Sequence, residues 1–257
     1  MSAMMSINKP PTLLPLLLSL LLSSCNKQAI AVDGVNVREQ EAAKYSVPSR
    51  DPGKYQSPIN ILTADITKGR KARKFTIHFE DKITAVENLG HTVQLDFKSG
   101  SRITTEGLTY MFKQMHFHTP AEHLIDGVTY PMELHIVGVN AENSTTPHYL
   151  VISILFKMGK ESPFINEFLS VIPHKNGKQL VKANSIKLHD LLSSGDLGHH
   201  YHYKGSLTTP PYVETVNWFV LKKIFEASPA QIKTINTIEG NNARHIEAEN
   251  NRSVEDN

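Results

Sequence analysis

Lys113-Gln114-Met115-His116-Phe117-His118-Thr119-Pro120-Ala121-Glu122-His123 reads as a strand centred on His116-Phe117-His118. A strand sends alternate side chains to opposite faces, so Gln114, His116 and His118 share one face, and Met115 and Phe117 enter a core on the other. Two imidazoles two residues apart on a rigid strand can converge on one metal ion if a third joins them. Met132-Glu133-Leu134-His135-Ile136-Val137 reads as a second strand and supplies His135, with Glu133, His135 and Val137 on one face. The connector contains Asp126-Gly127, a turn signal that lets the two strands pair as antiparallel neighbours. Thirteen histidines make chance pairs common, as His199, His200 and His202 illustrate. What lifts His116 and His118 above chance is His135 with an acidic residue two positions before it. Three imidazoles leave one tetrahedral position of a zinc ion open for water, which is the catalytic arrangement. Gln114 and Glu133 are placed to fix the ring orientations.

Other segments follow in a recognisable order: Gln56-Ser57-Pro58-Ile59-Asn60-Ile61, Gly90-His91-Thr92-Val93-Gln94, Glu133-Leu134-His135 and Gly205-Ser206-Leu207-Thr208-Thr209-Pro210-Pro211, the last continuing into Val216-Asn217-Trp218. Together with the His116 strand they resemble the alpha-class carbonic anhydrases from about Tyr55 to Arg252. Asn242-Ala243-Arg244 with Asn250-Asn251-Arg252 is similar to that family's knot-like C-terminal segment.

The resemblance implies a mainly β, single domain with a large, mostly antiparallel twisted central sheet, a few short peripheral helices and a conical cavity. It implies a Zn2+ cofactor held by His116 and His118 through the ring nitrogen remote from the backbone and by His135 through the near one. Gln114 then orients His116, and Glu133 orients His135. The implied reaction is reversible hydration of CO2 to bicarbonate by zinc-bound hydroxide. Thr208 donates to Glu122 and therefore accepts from that hydroxide, since a hydroxyl has one proton to give. Thr209 lines the bicarbonate site, and Val137, Val151, Leu207, Val216 and Trp218 match the apolar CO2 pocket. His91 stands at the position of the proton shuttle, where an imidazole suits transfer to buffer. Sulfonamides and anions are the expected inhibitors. The chain departs from the family in three ways. Leu89 replaces a usual Asn, an aromatic segment before Gln56 is missing, and Tyr212 stands where bacterial members often carry a disulfide cysteine. Both partners of that disulfide are absent together, so stability must come from packing.

Composition sets outer bounds. With 257 residues and 40% hydrophobic content, one globular domain is expected, and a formal charge of +2 gives no argument for nucleic acid. Lys9 and the apolar run Leu13 to Leu22 form a signal-peptide core too short to span a bilayer. The run ends in Leu22-Ser23-Ser24-Cys25, which resembles a bacterial lipobox, and Cys25 is the only cysteine. Residues 1–24 are therefore read as a lipoprotein signal peptide, 25–54 as a tether and divergent N-terminal segment, and 55–253 as the catalytic domain. Acylation of Cys25 implies a lipid anchor on the periplasmic side of a bacterial envelope, at the outer membrane.

Elsewhere Phe75, Ile77 and Phe79 alternate with polar residues, as do Val93, Leu95 and Phe97, while Tyr149 to Phe156 is an apolar run suited to a strand buried on both faces. Ser162-Pro163 and Ser228-Pro229-Ala230-Gln231 open helices, the second with a capping box. The alternatives are a surface binding or adhesion module of this family, whose members typically lack a zinc histidine although all three stand here, and a periplasmic zinc store, which would need neither Thr208 paired with Glu122 nor an apolar pocket.

Overall fold

In the computed structural model, residues 53–68, 74–80, 82–140, 147–193 and 195–257 are described. The expected signal peptide, Cys25 and the tether up to residue 52 lie outside them.

The fold is mostly β. A small sheet joins β1 (Asn60–Ile61) in parallel to β8 (Leu124–Ile125), which pairs antiparallel with β9 (Val128–Thr129). Asp126 and Gly127 form the β8–β9 turn, both with positive φ, 49° and 78°, as a two-residue type I′ turn requires. The other strands form one large mixed sheet. Its first half contains β2 (Thr67–Lys68), β3 (Phe75–His78), β4 (Ile83–Asn88), β5 (Val93–Phe97), β6 (Arg102–Thr105), β7 (Leu108–His118) and β10 (Met132–Asn140). The second half adds β11 (His148–Met158), β12 (Gly177–Leu180), β13 (His200–Gly205), β14 (Val216–Leu221), β15 (Phe225–Ala227) and β16 (Glu255–Asp256). The main path runs β12-β4-β5-β7-β10-β11-β14-β13-β16-β2. Antiparallel pairing dominates, with parallel seams at β11/β14, β11/β15 and β16/β2.

At its centre the sheet is buried on both faces. Leu134, Ile136, Ile152, Ile154 and Phe219 enter one core, capped by Phe164, Ile165 and Phe168 of α1 (Pro163–Leu169) and Ile232 and Ile235 of α2 (Pro229–Glu239). Val137, Val151, Val216 and Trp218 point to the other face and pack with Ile59, Ile61 and Tyr203. Alternation thus assigns neighbouring residues of one strand to separate cores.

Strand β7 breaks this parity once. Val137 opposes Gln114, but Gly138 opposes Phe112, so Lys113 bulges out of the ladder. Phe112 and Tyr110 therefore join Met115 and Phe117 in the helix-covered core, whereas Gln114, His116 and His118 keep the opposite face. A Cβ on Gly138 would lie 3.1 Å from the Tyr110 side chain and 3.3 Å from Phe112, so glycine makes room for the switch.

Both helices begin where the sequence places them, with proline in the first turn. The capping box of α2 is complete, and its Gln231 does more than cap its own helix. Its Oε1 accepts from Ser228 N at 3.0 Å and Ser162 N at 2.9 Å, while Nε2 donates to Ser162 O at 2.8 Å. One buried amide joins both helix starts. At the far end of α2, Glu239 accepts from Thr119 Oγ1 at 2.9 Å and Val93 N at 3.2 Å, docking the helix on β5 and on the residue after His118.

Burial pushes the Glu239 carboxyl up to about 8, against those two bonds. A carboxyl raised above its unfolded value of 4.5 stabilises the fold fully below that pH, and the contribution disappears as pH rises through about 8. Urea denaturation at acid and alkaline pH tests this. Between pH 5 and 8.5 the native protein should lose more stability than Glu239→Gln, the difference being on the order of a few kcal/mol.

Candidate metal centre

The register of β7 and β10 builds the site. His116 lies directly opposite His135, and His118 opposite Glu133. Directly opposed side chains on one face are near neighbours, and the third ring follows by alternation along β7. Ring centroids are 4.9 Å apart for His116 and His118, 5.3 Å for His116 and His135, and 4.6 Å for His118 and His135. One nitrogen from each ring lies within 4.8 Å of the others.

Hydrogen bonds select those nitrogens. His116 Nδ1 donates to Gln114 Oε1 at 2.8 Å, leaving Nε2 toward the centre. His135 Nε2 donates to Glu133 Oε1 at 2.7 Å, leaving Nδ1. His118 is 3% exposed, and neither of its ring nitrogens has a hydrogen-bonding partner among the described residues. Its Nδ1 is 3.6 Å from Glu122 Oε1. Buried polar nitrogens left unbonded are costly and rare. Two committed rings and one uncommitted ring, each with a nitrogen facing the same point, are the donor set that a tetrahedral ion such as zinc requires. Burial holds His116 well below the ordinary imidazole range, assisted by His118 and His135. It lowers His135 and brings His118 to about 4. All three are neutral ligands at neutral pH.

Glu133 is the anchor behind them. It is fully buried, and burial alone would raise it, yet His123 and His135 hold it well below the usual carboxylate range. Five groups donate to it: Glu122 N and His123 N to Oε2 at 2.8 Å each, and His123 Nδ1 (2.7 Å), His135 Nε2 (2.7 Å) and Ser153 Oγ (2.6 Å) to Oε1. With Nδ1 committed, His123 Nε2 meets the Tyr203 hydroxyl at 2.6 Å, and that hydroxyl lies 3.1 Å from Ser57 Oγ. His123, Tyr203 and Ser153 are functional neighbours that sequence reasoning missed. The available signals were the histidine next to Glu122 and the single polar residue in the apolar run Leu150 to Phe156.

Glu122 is also buried, and burial pushes it up to about 7 despite the attraction of His135. Its Oε1 accepts from Arg244 N at 2.9 Å. Thr208 is close enough for its hydroxyl to favour the charged carboxylate, although Glu122 Oε2 has no hydrogen bond of ordinary geometry among the described residues. The role of Arg244 was also missed, although Asn242-Ala243-Arg244 was among the matching segments.

A cavity of about 200 Å³ opens on His116 and His118. Leu89, His91, Thr92, Gln94, Gln114 and Thr209 contribute to its wall, with Asn242 tying the His91 carbonyl (2.8 Å) to that of Phe117 (3.1 Å). His91 Nδ1 donates to Leu89 O at 2.9 Å. Val137, Val151, Val216, Trp218 and the partly buried Leu207 gather in the apolar cluster beside the histidines. Trp218 Nε1 donates to Ser206 O at 3.1 Å, and its ring lies 4.9 Å from His135 and 4.8 Å from His123.

Comparison with known proteins matches residues 40–257 to the model of the eukaryotic-type carbonic anhydrase family. A carbonic anhydrase of Neisseria gonorrhoeae is 33% identical over 256 residues, covering 95% of each chain. Among solved structures, a hyperthermostable carbonic anhydrase from an active hydrothermal vent chimney superposes with a TM-score of 0.72 at 33% identity, covering 79% of this chain and 88% of the other. The Thermovibrio ammonificans alpha-carbonic anhydrase, in complex with the inhibitor sulfanilamide, gives the same TM-score and identity, covering 79% and 87%.

Metal titration checks the donor set. The metal-free protein should take up one zinc ion per chain, and His116→Ala should abolish tight uptake. His123→Phe, which removes a donor from Glu133, should weaken uptake by about 10–100-fold. Because the imidazoles titrate below their ordinary range, lowering pH from 7 to 5.5 should cost little affinity, with proton competition at His118 setting in near pH 4.

Proposed function

This chain belongs to the eukaryotic-type carbonic anhydrase family, and we propose that it catalyses the reversible hydration of CO2 to bicarbonate at a zinc ion held by His116, His118 and His135. The observation that carries this reading is the convergence of three neutral imidazoles, two with the outward nitrogen already engaged. When bound, the ion supplies the Lewis acidity that makes water nucleophilic near neutral pH, and its charge favours the ionised form of Glu122.

The protein's own groups then direct the attack. Arg244 N occupies one oxygen of Glu122 and leaves the other for the single Thr208 proton. Once that proton is given, the Thr208 oxygen can only accept, so it orients the attacking oxygen and aims its free lone pair at the substrate carbon. The apolar cluster of Val137, Val151, Leu207, Val216 and Trp218 suits apolar CO2, and exposed Thr209 suits the bicarbonate that leaves. The proton that water loses in becoming the nucleophile passes to His91. With Nδ1 donating to Leu89 O, pick-up falls to Nε2. A sulfonamide is expected to compete at the same centre, in line with the sulfanilamide complex of the Thermovibrio relative.

Binding without turnover is the second reading. It fits the fold as well, but leaves the approach of Thr208 to Glu122 without a use. Stopped-flow CO2 hydration by zinc-loaded protein separates the two. Activity should be sulfonamide-sensitive, and Thr208→Ala should lower kcat/KM by about two orders of magnitude. Zinc binding without hydration would overturn the enzymatic reading. In low buffer His91→Ala should slow turnover, and added imidazole should restore it.

The apolar run ending at Leu22-Ser23-Ser24-Cys25 supports a location on the periplasmic side of a bacterial envelope, anchored through acylated Cys25. Labelled palmitate should enter the native protein in cells and fail to enter Cys25→Ser, which should leave the membrane fraction.

A further inference from the structure

Tyr212 follows the Thr208-Thr209-Pro210-Pro211 loop with φ of 57°, in the left-handed region that a bulky aromatic residue rarely adopts. A conformation of this kind costs energy and persists where surrounding contacts over-determine it. Three contacts do so. Tyr212 N donates to Thr209 O at 2.9 Å, closing the loop that carries Thr208 and Thr209. Gln56 Nε2 donates to Tyr212 O at 3.2 Å. The Arg244 guanidinium lies over the Tyr212 ring, 3.9 Å from its centroid. The same guanidinium donates through Nη1 to Gln56 Oε1 at 2.9 Å and Ser57 O at 2.7 Å, while its backbone N–H holds Glu122 Oε1 at 2.9 Å.

These contacts form a closed circuit. One side of Tyr212 grips the backbone beside Thr208, and its ring grips the residue whose amide grips Glu122. Thr208 and Glu122 come from distant segments, so their mutual distance depends on how those segments are tied. Gln56 bridges Tyr212 O and Arg244 Nη1, and the direct tie is a cation stacked on an aromatic face, an interaction that needs the ring and not the hydroxyl.

We propose that Tyr212 is a positioning residue, whose ring clamps Arg244 and so sets the Thr208 hydroxyl against the Glu122 carboxylate. This rests on the function proposed above for Thr208 and Glu122.

Tyr212→Leu keeps a bulky side chain and the same backbone demand but has no π face, whereas Tyr212→Phe keeps the face. Zinc content per chain should be unchanged in both. Tyr212→Leu should lose about tenfold in kcat at nearly constant KM for CO2 hydration, and Tyr212→Phe should stay within about twofold of native. Arg244→Leu should cause a similar loss, and adding Tyr212→Leu to it should cost little more. In metal-free protein, amide hydrogen exchange at 207–213 and 243–245 should speed up in Tyr212→Leu and not in Tyr212→Phe. Equal impairment of both Tyr212 variants, additive losses in the double variant, or native exchange in Tyr212→Leu would each overturn the proposal. If the native protein hydrates no CO2, the proposed function fails, while the exchange comparison still decides for or against the clamp.

Discussion

Everything in this molecule depends on keeping imidazoles dry and neutral while one ionised carboxylate stays buried behind them. An isolated carboxylate in an apolar interior is very costly. Glu133 is tolerable because five donors surround it, two from backbone and three from side chains. Those donors come from β10, β11 and the turn after β7, so the charge fixes the relative placement of three segments. The same carboxylate fixes the tautomer of His135 and, through His123, engages Tyr203 and the N-terminal Ser57. Removing any of these donors leaves part of a buried charge uncompensated, which makes the polar cluster as much a determinant of the fold as of the site.

The large sheet serves this cluster by separating two jobs. One face carries the apolar residues that bury both helices, and the other carries the histidines and the apolar cluster beside them. The bulge at Lys113 allows β7 to serve both, bringing Phe112 into the helix-covered core and His116 into the centre although both have even positions. A strand of strict alternation would have put Phe112 on the same face as the ligands. The rigidity of so broad a ladder explains why rings spaced two residues apart can be aimed at a single point.

Much of this was legible in the chain because alternation and capping are local. The His116 strand, its antiparallel partner, the buried run before Phe156, the proline-led helices and the Asp126-Gly127 turn all follow from neighbours in sequence. The roles of His123, Ser153 and Arg244 did not follow, because each depends on which distant segment a side chain or amide meets. Ser153 reads as an interruption in an apolar run until Glu133 is found across the ladder. Gln231 shows a capping box from the sequence, but its hold on Ser162 requires the other helix. The bulge at Lys113 is marked only by the shift of large apolar residues from even positions, Tyr110 and Phe112, to odd ones, Met115 and Phe117, a shift that the apolar Met111 blurs.

The bond between Gln56 and Arg244 joins residues 188 positions apart. During synthesis the three histidines therefore leave the ribosome well before the amide that secures Glu122. At about 5–20 residues per second the interval is on the order of ten seconds. A nascent chain in that interval holds the three imidazoles without the amide that later binds Glu122. The order of emergence thus leaves the contact between the Arg244 amide and Glu122 among the last to close around the histidines.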